Sequence, residues 1–388
     1  MQCKLRIAIV VPDNRDEFRS YADPAPHFGA APTALIEGFT RMPEACEIHV
    51  VNCVQQAVAG PEKIGLNVFY HTGIVPKWGW LRGGYLGCIR SVRRQLKHIQ
   101  PDIVHGQGTE RYCALAAVYS GFPNVLTIHG NMKAIAKFYC AVPGSYHWLA
   151  ARLETLALRR TGGVFCNSAY TEKLVARRTA RTWRVPNPLR LDFFSPVPPH
   201  KYSAVPVLLN VGVLTAYKRQ VELLAVAQRL HRRGFKFELQ FVGSRSEQSK
   251  YGRQFSAALS EAEQAGYARH LGKLDTLQLI AAMDAAAALV HFPSEEAFGL
   301  VVAEALARNL KFFGAATGGV VDIAANVEGS ELFAVTDYYG LETAIAKWLN
   351  AGHFRPYAAA VAMQERYHPQ VIAQRHLEIY RDILKSRQ

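Results

Sequence analysis

The chain has 388 residues, of which 49% are hydrophobic and 20% are charged. This length exceeds what one hydrophobic core usually supports, so two domains are expected, and the composition excludes a disordered protein. The formal net charge of +14 is concentrated in residues 1–190, which hold 24 Lys and Arg against 12 Asp and Glu. Such a basic half predicts an anionic partner, with an ordinary basic surface as the alternative.

Short apolar runs alternate with helical stretches along the first half, a pattern typical of parallel α/β sheets. We predict strands at residues 5–11, 47–53, 66–71, 102–105, 124–129 and 163–167. Helices are predicted at residues 31–41 and 87–99. The proline-rich residues 186–199 then predict a linker between domains.

The same alternation resumes in the second half, with predicted strands at residues 205–211, 235–242, 268–271, 288–292 and 310–314. Predicted helices lie at residues 221–232, 277–285 and 300–308. The expected fold class is therefore α/β, with two Rossmann-like, doubly wound parallel-sheet domains. These are residues 1–190 and 205–371, joined by a linker at residues 191–204. Two such domains would face a cleft at the carboxyl ends of their strands, where open parallel sheets bind ligands.

The cysteines and the hydropathy pattern limit the cellular setting. Seven cysteines are scattered without a C-x-x-C pair: Cys3, Cys46, Cys53, Cys88, Cys113, Cys140 and Cys166. Reduced thiols in the cytoplasm are the favoured interpretation, against a disulfide scaffold or a structural zinc site. The opening apolar run is too short for a signal peptide, and no uncharged run reaches the ~18 residues that cross a membrane.

Residues 294–306 place two carboxylates, Glu296 and Glu304, around an apolar run. We predict that Glu296 lies in the loop after a buried strand and that a helix starts near Gly299. The amides at a helix start can hold an anion, and a glycine there lets a ligand approach the backbone. The two carboxylates would then accept hydrogen bonds from uncharged hydroxyls, as a nucleotide sugar requires. The alternative is a Glu that favours the helix dipole and another on a solvated face.

These residues, E-A-F-G followed by E-A-L, resemble the E-x7-E signature of glycosyltransferase family 4, whose members are retaining enzymes of the glycosyltransferase-B (GT-B) fold. Six more segments are similar to the family's motifs in the same order. They are residues 101–105 (PDIVH), 125–130 (VLTIHG), 164–171 (VFCNSAYT), 185–194 (VPN with Asp192 and Phe194), 210–218 (NVG with Lys218) and 241–243 (FVG). The resemblance implies that the C-terminal helix, residues 372–388, crosses back to the first domain.

The resemblance also implies roles for particular residues. Glu296 would contact the donor sugar, His129 would touch it from the first domain, and Lys218 would neutralise the departing diphosphate. These three are the predicted catalytic residues. The predicted donor-binding residues are Gly29, Gly212, Lys218, Arg219, Gly243, Phe298, Gly299, Leu300 and Glu304, the last of them at the ribose. Without the resemblance, Lys218 is also compatible with an exposed loop lysine and His129 with a structural histidine.

Several positions depart from the family's pattern. Val213 stands where the family often has a phosphate-binding arginine, and Arg219 is the candidate to substitute for it. Ala30 replaces the second glycine of the loop at Gly29, and Asp322 replaces a later glutamate. These changes affect the expected donor affinity and leave the two glutamates in place.

The expected function is a retaining glycosyltransferase that moves a sugar from a UDP-sugar or GDP-sugar to a glycan or lipid-linked acceptor, in cell-surface polysaccharide or glycolipid synthesis. The sequence contains no Asp-x-Asp, so we expect transfer without a divalent metal and without a cofactor. The expected location is the cytoplasm, with a peripheral position on the inner face of the plasma membrane.

Residues 86–99 carry the membrane hypothesis. Apolar side chains recur there at helical spacing, with Arg90, Arg93, Arg94 and Lys97 between them. A basic amphipathic helix can rest on an anionic bilayer, and the alternative is a surface helix whose apolar side is part of the core.

Three other functions are alternatives to a glycosyltransferase. A sugar-nucleotide epimerase or phosphorylase could share the two-domain fold. A non-catalytic or degenerate GT-B partner subunit would bind a donor without transferring its sugar, and Val213 is the feature that favours it. Nucleic-acid binding through the basic half lacks any recognisable module.

Overall fold

The computed structural model describes residues 4–199 and 203–386. Cys3, residues 200–202 of the predicted linker and the last two residues of the predicted crossing helix lie outside the described residues. The chain divides into two compact units. The first comprises Met1–Arg190 and His368–Gln388, and the second comprises Leu191–Tyr367.

Within the described residues the first unit contains an eight-stranded sheet, in the order β3-β4-β2-β1-β5-β6-β7-β8. Its strands are β1 (Leu5–Val10), β2 (Cys46–Val54), β3 (Lys63–Gly65), β4 (Val68–Ile74), β5 (Ile103–Gln107), β6 (Asn124–Ile128), β7 (Val164–Cys166) and β8 (Thr182–Arg184). All pairs are parallel except β3 with β4. The central strands β1, β2 and β5 are buried along almost their whole length because helices cover both faces of a parallel sheet.

The second unit contains a six-stranded parallel sheet, in the order β11-β10-β9-β12-β13-β14. Its strands are β9 (Val207–Val211), β10 (Glu238–Val242), β11 (Ala268–Gly272), β12 (Ala288–His291), β13 (Lys311–Ala315) and β14 (Ser330–Phe333). Two parallel-sheet α/β units confirm the predicted fold class. In each sheet the strand order reverses at a central pair of strands, and open α/β sheets bind ligands at the carboxyl edge beside such a reversal.

The helices cover the faces of the two sheets. Those of the first unit are α1 (Arg15–Phe18), α2 (Ala30–Thr40), α3 (Leu86–Ile99), α4 (Cys113–Val118), α5 (Met132–Phe138), α6 (Tyr146–Arg160) and α7 (Ala169–Val175). Those of the second are α8 (Gln220–Arg232), α9 (Lys250–Gln264), α10 (Thr276–Ala285), α11 (Leu300–Ala307), α12 (Val320–Ala324), α13 (Tyr338–Asn350) and α14 (Ala359–Tyr367). The last helix, α15 (Pro369–Lys385), belongs to the first unit.

Helix α15 returns to the first unit, as predicted, and packs against α2. Its buried Tyr380 hydroxyl lies 2.5 Å from Nδ1 of His105 on β5, and His105 Nε2 lies 2.6 Å from the Thr127 hydroxyl on β6. The helix begins at Pro369, earlier than the predicted residue 372, because proline is well tolerated in the first turn of a helix. The C-terminal segment is therefore part of the first unit's core.

The beginning of the predicted linker is an ordered part of the second unit. Residues Leu191–Phe194 form a 3-10 turn. The buried guanidinium of Arg308 donates to the carbonyls of Phe193 and Ser195, and it forms an ion pair with Asp284 at 2.8 Å. A planar group with five donors can satisfy several acceptors at once, so this single side chain anchors the turn.

Helix α3 has the amphipathic pattern that the sequence predicts, and its apolar side lies in the core of the first unit. Cys88, Ile89, Val92, Leu96 and Ile99 are buried there. Arg90, Arg93, Arg94 and Lys97 are exposed on the other side. The apolar side is thus occupied by protein. None of the helices in the described parts of the chain has the length and apolarity needed to cross a membrane.

The predicted strands differ from the structure in several starting residues and in three short edge strands. Strand β4 begins at Val68 and β10 at Glu238, two and three residues later than predicted. The short strands β3, β8 and β14 were not predicted because they are edge strands with partly exposed, mixed side chains. Periodicity identifies a strand only where at least one face is consistently apolar.

Candidate functional site

The loop between β12 and α11 lies at the carboxyl edge of the second sheet. The strand ends at His291, and the helix begins at Leu300 after Gly299. Gly299 has φ 93°, a backbone conformation that side chains disfavour, so a glycine is needed at this turn. The amides of Gly299 and Leu300 are in the first turn and have no partner within the helix. The predicted anion-binding geometry is therefore available at this helix start.

Glu296 is the centre of a three-residue polar cluster within this edge. Its Oε2 accepts a hydrogen bond from the Lys218 ammonium at 2.5 Å and lies 2.9 Å from His291 Nε2. All three side chains are largely shielded from solvent, with exposed fractions of 15% for Lys218, 14% for Glu296 and 2% for His291. We call Lys218, Glu296 and His291 the donor-edge cluster.

The charges of this cluster are well defined. Burial by itself would raise the pKa of Glu296, but the hydrogen bond with His291 and the charge of Lys218 outweigh it and lower the pKa to about 2. Burial lowers the pKa of His291, so its imidazole is neutral at neutral pH and can still donate a hydrogen bond. The cluster consequently holds one ammonium and one carboxylate that remains ionised throughout the physiological range.

Backbone contacts hold Lys218 in this position. It ends a 3-10 turn, Ala216–Lys218, in the loop between β9 and α8. The carbonyl of the preceding residue, Tyr217, accepts hydrogen bonds from the amide and the hydroxyl of Ser294 at 2.8 and 3.1 Å. The loop that carries Lys218 is therefore attached to the loop that carries Glu296, although 78 residues separate the two.

The other predicted phosphate-binding positions of the second unit have different environments. Arg219 has φ 59° and donates to the carbonyl of Val335 at 2.5 Å, so its guanidinium takes part in an intramolecular contact. Val213 follows β9 and is 54% exposed. Gly212 and Gly243 extend neighbouring strands, and their amides donate to backbone carbonyls at 2.8 Å.

The remaining residues of the predicted donor set lie on or near α11. Phe298 is buried and its ring contacts Tyr367 edge-on, with a centroid distance of 5.8 Å, which leaves its backbone as the part able to meet a ligand. Leu300 is partly exposed at the start of the helix. Glu304 lies in the second turn and is 7% exposed.

His129 and Gly29 lie in the first unit, each at the carboxyl edge of its sheet. His129 directly follows β6, and its Nε2 is 3.0 Å from Oε1 of Gln107 at the end of β5. Burial lowers the pKa of His129 to about 4, while a hydrogen bond to Asn187 acts in the opposite direction. Gly29 caps α2 with φ −62°, a conformation open to any residue.

Within the second unit, the structure brings Lys218 and Glu296 together, with Gly299 and Leu300 in the same loop and helix start. His291 was missed by sequence reasoning. It ends an apolar strand, A-L-V-H, and a histidine there gives no distinguishing signal until the fold shows what lies next to the strand end. Across residues 4–199 and 203–386, no group of three or more His, Cys, Asp or Glu side chains is placed to hold a metal ion.

Two family models match consecutive parts of the chain. The Glycosyltransferase Family 4 model matches residues 34–193, and the Glycosyl transferases group 1 model matches residues 195–364. The chain belongs to glycosyltransferase family 4. It is therefore a glycosyltransferase, in enzyme class EC 2.4, and the predicted family is confirmed.

Solved structures of GT-B glycosyltransferases confirm the GT-B fold. Sucrose-phosphate synthase from Thermosynechococcus elongatus has a TM-score of 0.75 at 17% identity, covering 99% of this chain and 100% of that chain. Anabaena Alr3699/HepE in complex with UDP-glucose has a TM-score of 0.68 at 16% identity, covering 97% and 100%. The apo lipopolysaccharide outer core galactosyltransferase WaaB has a TM-score of 0.66 at 16% identity, covering 99% and 100%. No curated protein matches the chain.

Proposed function

We propose that this glycosyltransferase takes its sugar from a UDP-sugar or GDP-sugar, retains the anomeric configuration and needs no divalent metal. The acceptor is a glycan or a lipid-linked sugar, and the pathway is cell-surface polysaccharide or glycolipid synthesis. The observation that carries the donor side of this proposal is the donor-edge cluster, which places an ammonium and an ionised carboxylate beside the amides of a helix start.

The two charged groups suit different parts of a nucleotide sugar. A departing nucleoside diphosphate gains negative charge as the glycosidic bond breaks, and the Lys218 ammonium stabilises charge at that point. Glu296 remains ionised because its pKa is low, so it accepts hydrogen bonds from the uncharged hydroxyls of the sugar. A bound diphosphate competes with Glu296 for Lys218, which provides a simple way to direct the carboxylate towards the sugar.

We propose transfer without a metal because the ammonium of Lys218 supplies the positive charge that a divalent ion would otherwise supply at the diphosphate. The sequence has no Asp-x-Asp motif, the common carboxylate pair for a divalent ion at a diphosphate. A UDP-sugar is favoured by analogy with Anabaena Alr3699/HepE, which was crystallised with UDP and with UDP-glucose.

A donor panel tests this proposal directly. The protein is incubated with UDP-, GDP- and ADP-sugars in excess chelator, and release of the nucleoside diphosphate is measured with and without glycan acceptors. We expect release from one class of UDP- or GDP-sugar, undiminished by chelator, and an α-linked product from an α-linked donor. If chelator abolishes activity and only magnesium or manganese restores it, the proposal that transfer needs no metal is contradicted. If the product has the opposite anomeric configuration from the donor, the proposal that configuration is retained is contradicted.

We further propose a cytoplasmic location with electrostatic contact to the inner face of the plasma membrane. The exposed Arg90, Arg93 and Arg94 of α3 support it, at roughly 1 kcal/mol for each basic residue near an anionic bilayer. Because the apolar side of α3 is in the core, this contact is electrostatic and falls with salt. Co-sedimentation with phosphatidylserine vesicles at low salt, against phosphatidylcholine vesicles, is the test, and equal binding to both contradicts the proposal.

A further inference from the structure

The carboxyl edge of the first sheet holds a carboxylate that the proposed function leaves unused. Glu110 follows the end of β5 by three residues, and its Oε1 accepts a hydrogen bond from the amide of Gly130 at 2.9 Å. Gly130 directly follows His129, the residue predicted to touch the donor sugar. The Glu110 carboxylate therefore lies next to the loop that carries His129, a predicted catalytic residue.

Two glycines make room for this carboxylate. A Cβ on Gly108 would lie 2.4 Å from Glu110 Oε2, and a Cβ on Gly130 would lie 3.1 Å from Oε1. The same Cβ on Gly108 would be 3.7 Å from Cδ2 of His129. The carboxylate and the imidazole thus flank a single glycine, which holds the two functional groups close together without an intervening side chain.

No cation pairs with Glu110 among the described residues. The neighbouring Arg111 instead forms an ion pair with Glu17 at 2.5 Å. Burial raises the pKa of Glu110, the charge of Glu154 raises it further, and backbone hydrogen bonds only partly oppose them. The titratable groups that face it are His129, Tyr146, Cys113 and Glu154. Glu110 is only partly buried, and a shielded carboxylate that has no cation beside it and a perturbed pKa is a candidate for binding a ligand.

The second carboxylate in this region, Glu154, has a structural role. Its Oε2 accepts hydrogen bonds from the Thr109 hydroxyl and the Met132 amide, each at 2.8 Å, and its Oε1 pairs with Arg178 at 2.7 Å. Its oxygens are engaged by the loop after β5, the start of α5 and a cation. Glu110 differs from Glu154 in having backbone amides and no cation as partners among the described residues.

An exposed group of aromatic rings adjoins Glu110. The Tyr146 hydroxyl donates to the Glu110 carbonyl at 3.3 Å, and the His147 ring stacks on Tyr139 with a centroid distance of 4.9 Å and an angle of 19°. Phe138, Tyr139 and Tyr146 are 45%, 51% and 46% exposed. We call these four residues, between α5 and the start of α6, the aromatic hairpin. Flat rings with polar edges offer an apolar face and hydrogen-bonding groups together.

We propose that Glu110 and the aromatic hairpin form the acceptor subsite and that it takes an uncharged pyranose. The apolar face of the sugar ring packs on the aromatic hairpin, and a sugar hydroxyl donates a hydrogen bond to Glu110. The carboxylate repels an acceptor that ends in a phosphate or a carboxylate. This inference rests on the proposed transfer to a glycan and specifies the chemistry of the group that is accepted.

Binding and kinetics test the subsite with defined probes. The probes are the octyl glycosides of glucose, galactose, mannose and N-acetylglucosamine, with binding followed by saturation-transfer NMR. We expect at least one to bind, and we expect Glu110→Gln and Tyr139→Ala each to weaken it about tenfold or more. Glu172→Gln and Tyr339→Ala are matched controls at an ion pair and an exposed ring elsewhere.

The outcomes separate this inference from the proposed function. Binding of none of the four glycosides, or unchanged binding in Glu110→Gln, overturns the subsite. Absence of nucleoside diphosphate release from every donor overturns the proposed function and leaves the NMR result to be judged separately.

Thermal stability supplies a measurement that does not depend on a ligand. Because the folded-state pKa of Glu110 is raised above its ordinary value of 4.5, its stabilising contribution is complete at low pH and is lost as pH rises through the folded-state pKa. Glu110→Gln should therefore raise Tm at pH 8 and have little effect at pH 4. The control Glu172→Gln should lower Tm at pH 8, since Arg184 stabilises that carboxylate. If Glu110→Gln has a lower Tm than the wild type at pH 8, the carboxylate serves to stabilise the fold through its hydrogen bonds, and the proposal is overturned.

Discussion

Glu296 and Glu110 occupy comparable places in two different sheets, a few residues beyond the end of a buried strand at the carboxyl edge. Lys218 and His291 surround Glu296, and its pKa is lowered to about 2. Glu110 has backbone amides as its partners and no cation among the described residues, and its pKa is raised. The topology of a parallel sheet thus sets where a carboxylate can meet a ligand. Neighbouring charges set whether it stays ionised and what it can bind.

The largest expected effect is the loss of the carboxylate in the donor-edge cluster. Glu296→Gln should reduce donor turnover about 10²- to 10³-fold, because an electrostatic contact at the reacting sugar is removed. Lys218 loses its partner as well, so the free energy of unfolding should fall by about 1–3 kcal/mol. The measurements are nucleoside diphosphate release and thermal unfolding, with Glu365→Gln on an exposed helical position as the control. Near-normal turnover in Glu296→Gln contradicts the role given to the cluster.

A smaller loss is expected for the ammonium. Lys218→Met should lower kcat about 10- to 150-fold, the equivalent of one charge-assisted contact with the leaving diphosphate. The affinity for the nucleoside diphosphate should fall as well, which isothermal titration calorimetry can measure. Lys347→Met, on an exposed position of α13, is the matched control. If Lys218→Met binds the diphosphate as tightly as the wild type, the ammonium interacts with Glu296 alone.

A substitution at the start of α11 should have a more modest effect on stability and on donor affinity. Gly299→Ala should lower the free energy of unfolding by about 1–2 kcal/mol, because an alanine is strained at φ 93°. Its Cβ would also lie 3.0 Å from a methyl group of Val320, so donor affinity should fall. Gly266→Ala is the control, since Gly266 has φ 76° in open space away from the cluster. Equal donor affinity in the two variants would exclude the amides of this turn from phosphate binding.

The smallest expected effect is a gain. Val213→Arg restores the charge that the family often has at this position, and an exposed Arg–phosphate contact should raise nucleotide affinity about 3- to 10-fold at low salt. The control is Val361→Arg, at a position with a similar exposure of 58% against 54%. An equal gain in both variants indicates general charge attraction rather than a specific phosphate contact.

The sequence predicted the parts of the site that depend on local structure. A strand, a loop and a helix at residues 288–308 followed from hydrophobic periodicity, and Gly299 with the E-x7-E spacing located the helix start. The motifs spread along the chain indicated the family and the C-terminal helix that returns to the first unit. The residues that contact Glu296 were not predicted from the sequence. Lys218 was singled out for a phosphate rather than for Glu296, and His291 was not singled out at all.

By itself, the sequence determined the α/β class, the positions of most strands along the chain and the position of Glu296 after a buried strand, because each depends on local periodicity. Only the tertiary structure decided which charges are neighbours. Lys218 meets Glu296 across 78 residues, and Gly108 and Gly130 bring Glu110 to the side of His129. Protonation depends on the distance to such groups and on burial, and the fold, not the spacing along the chain, sets both.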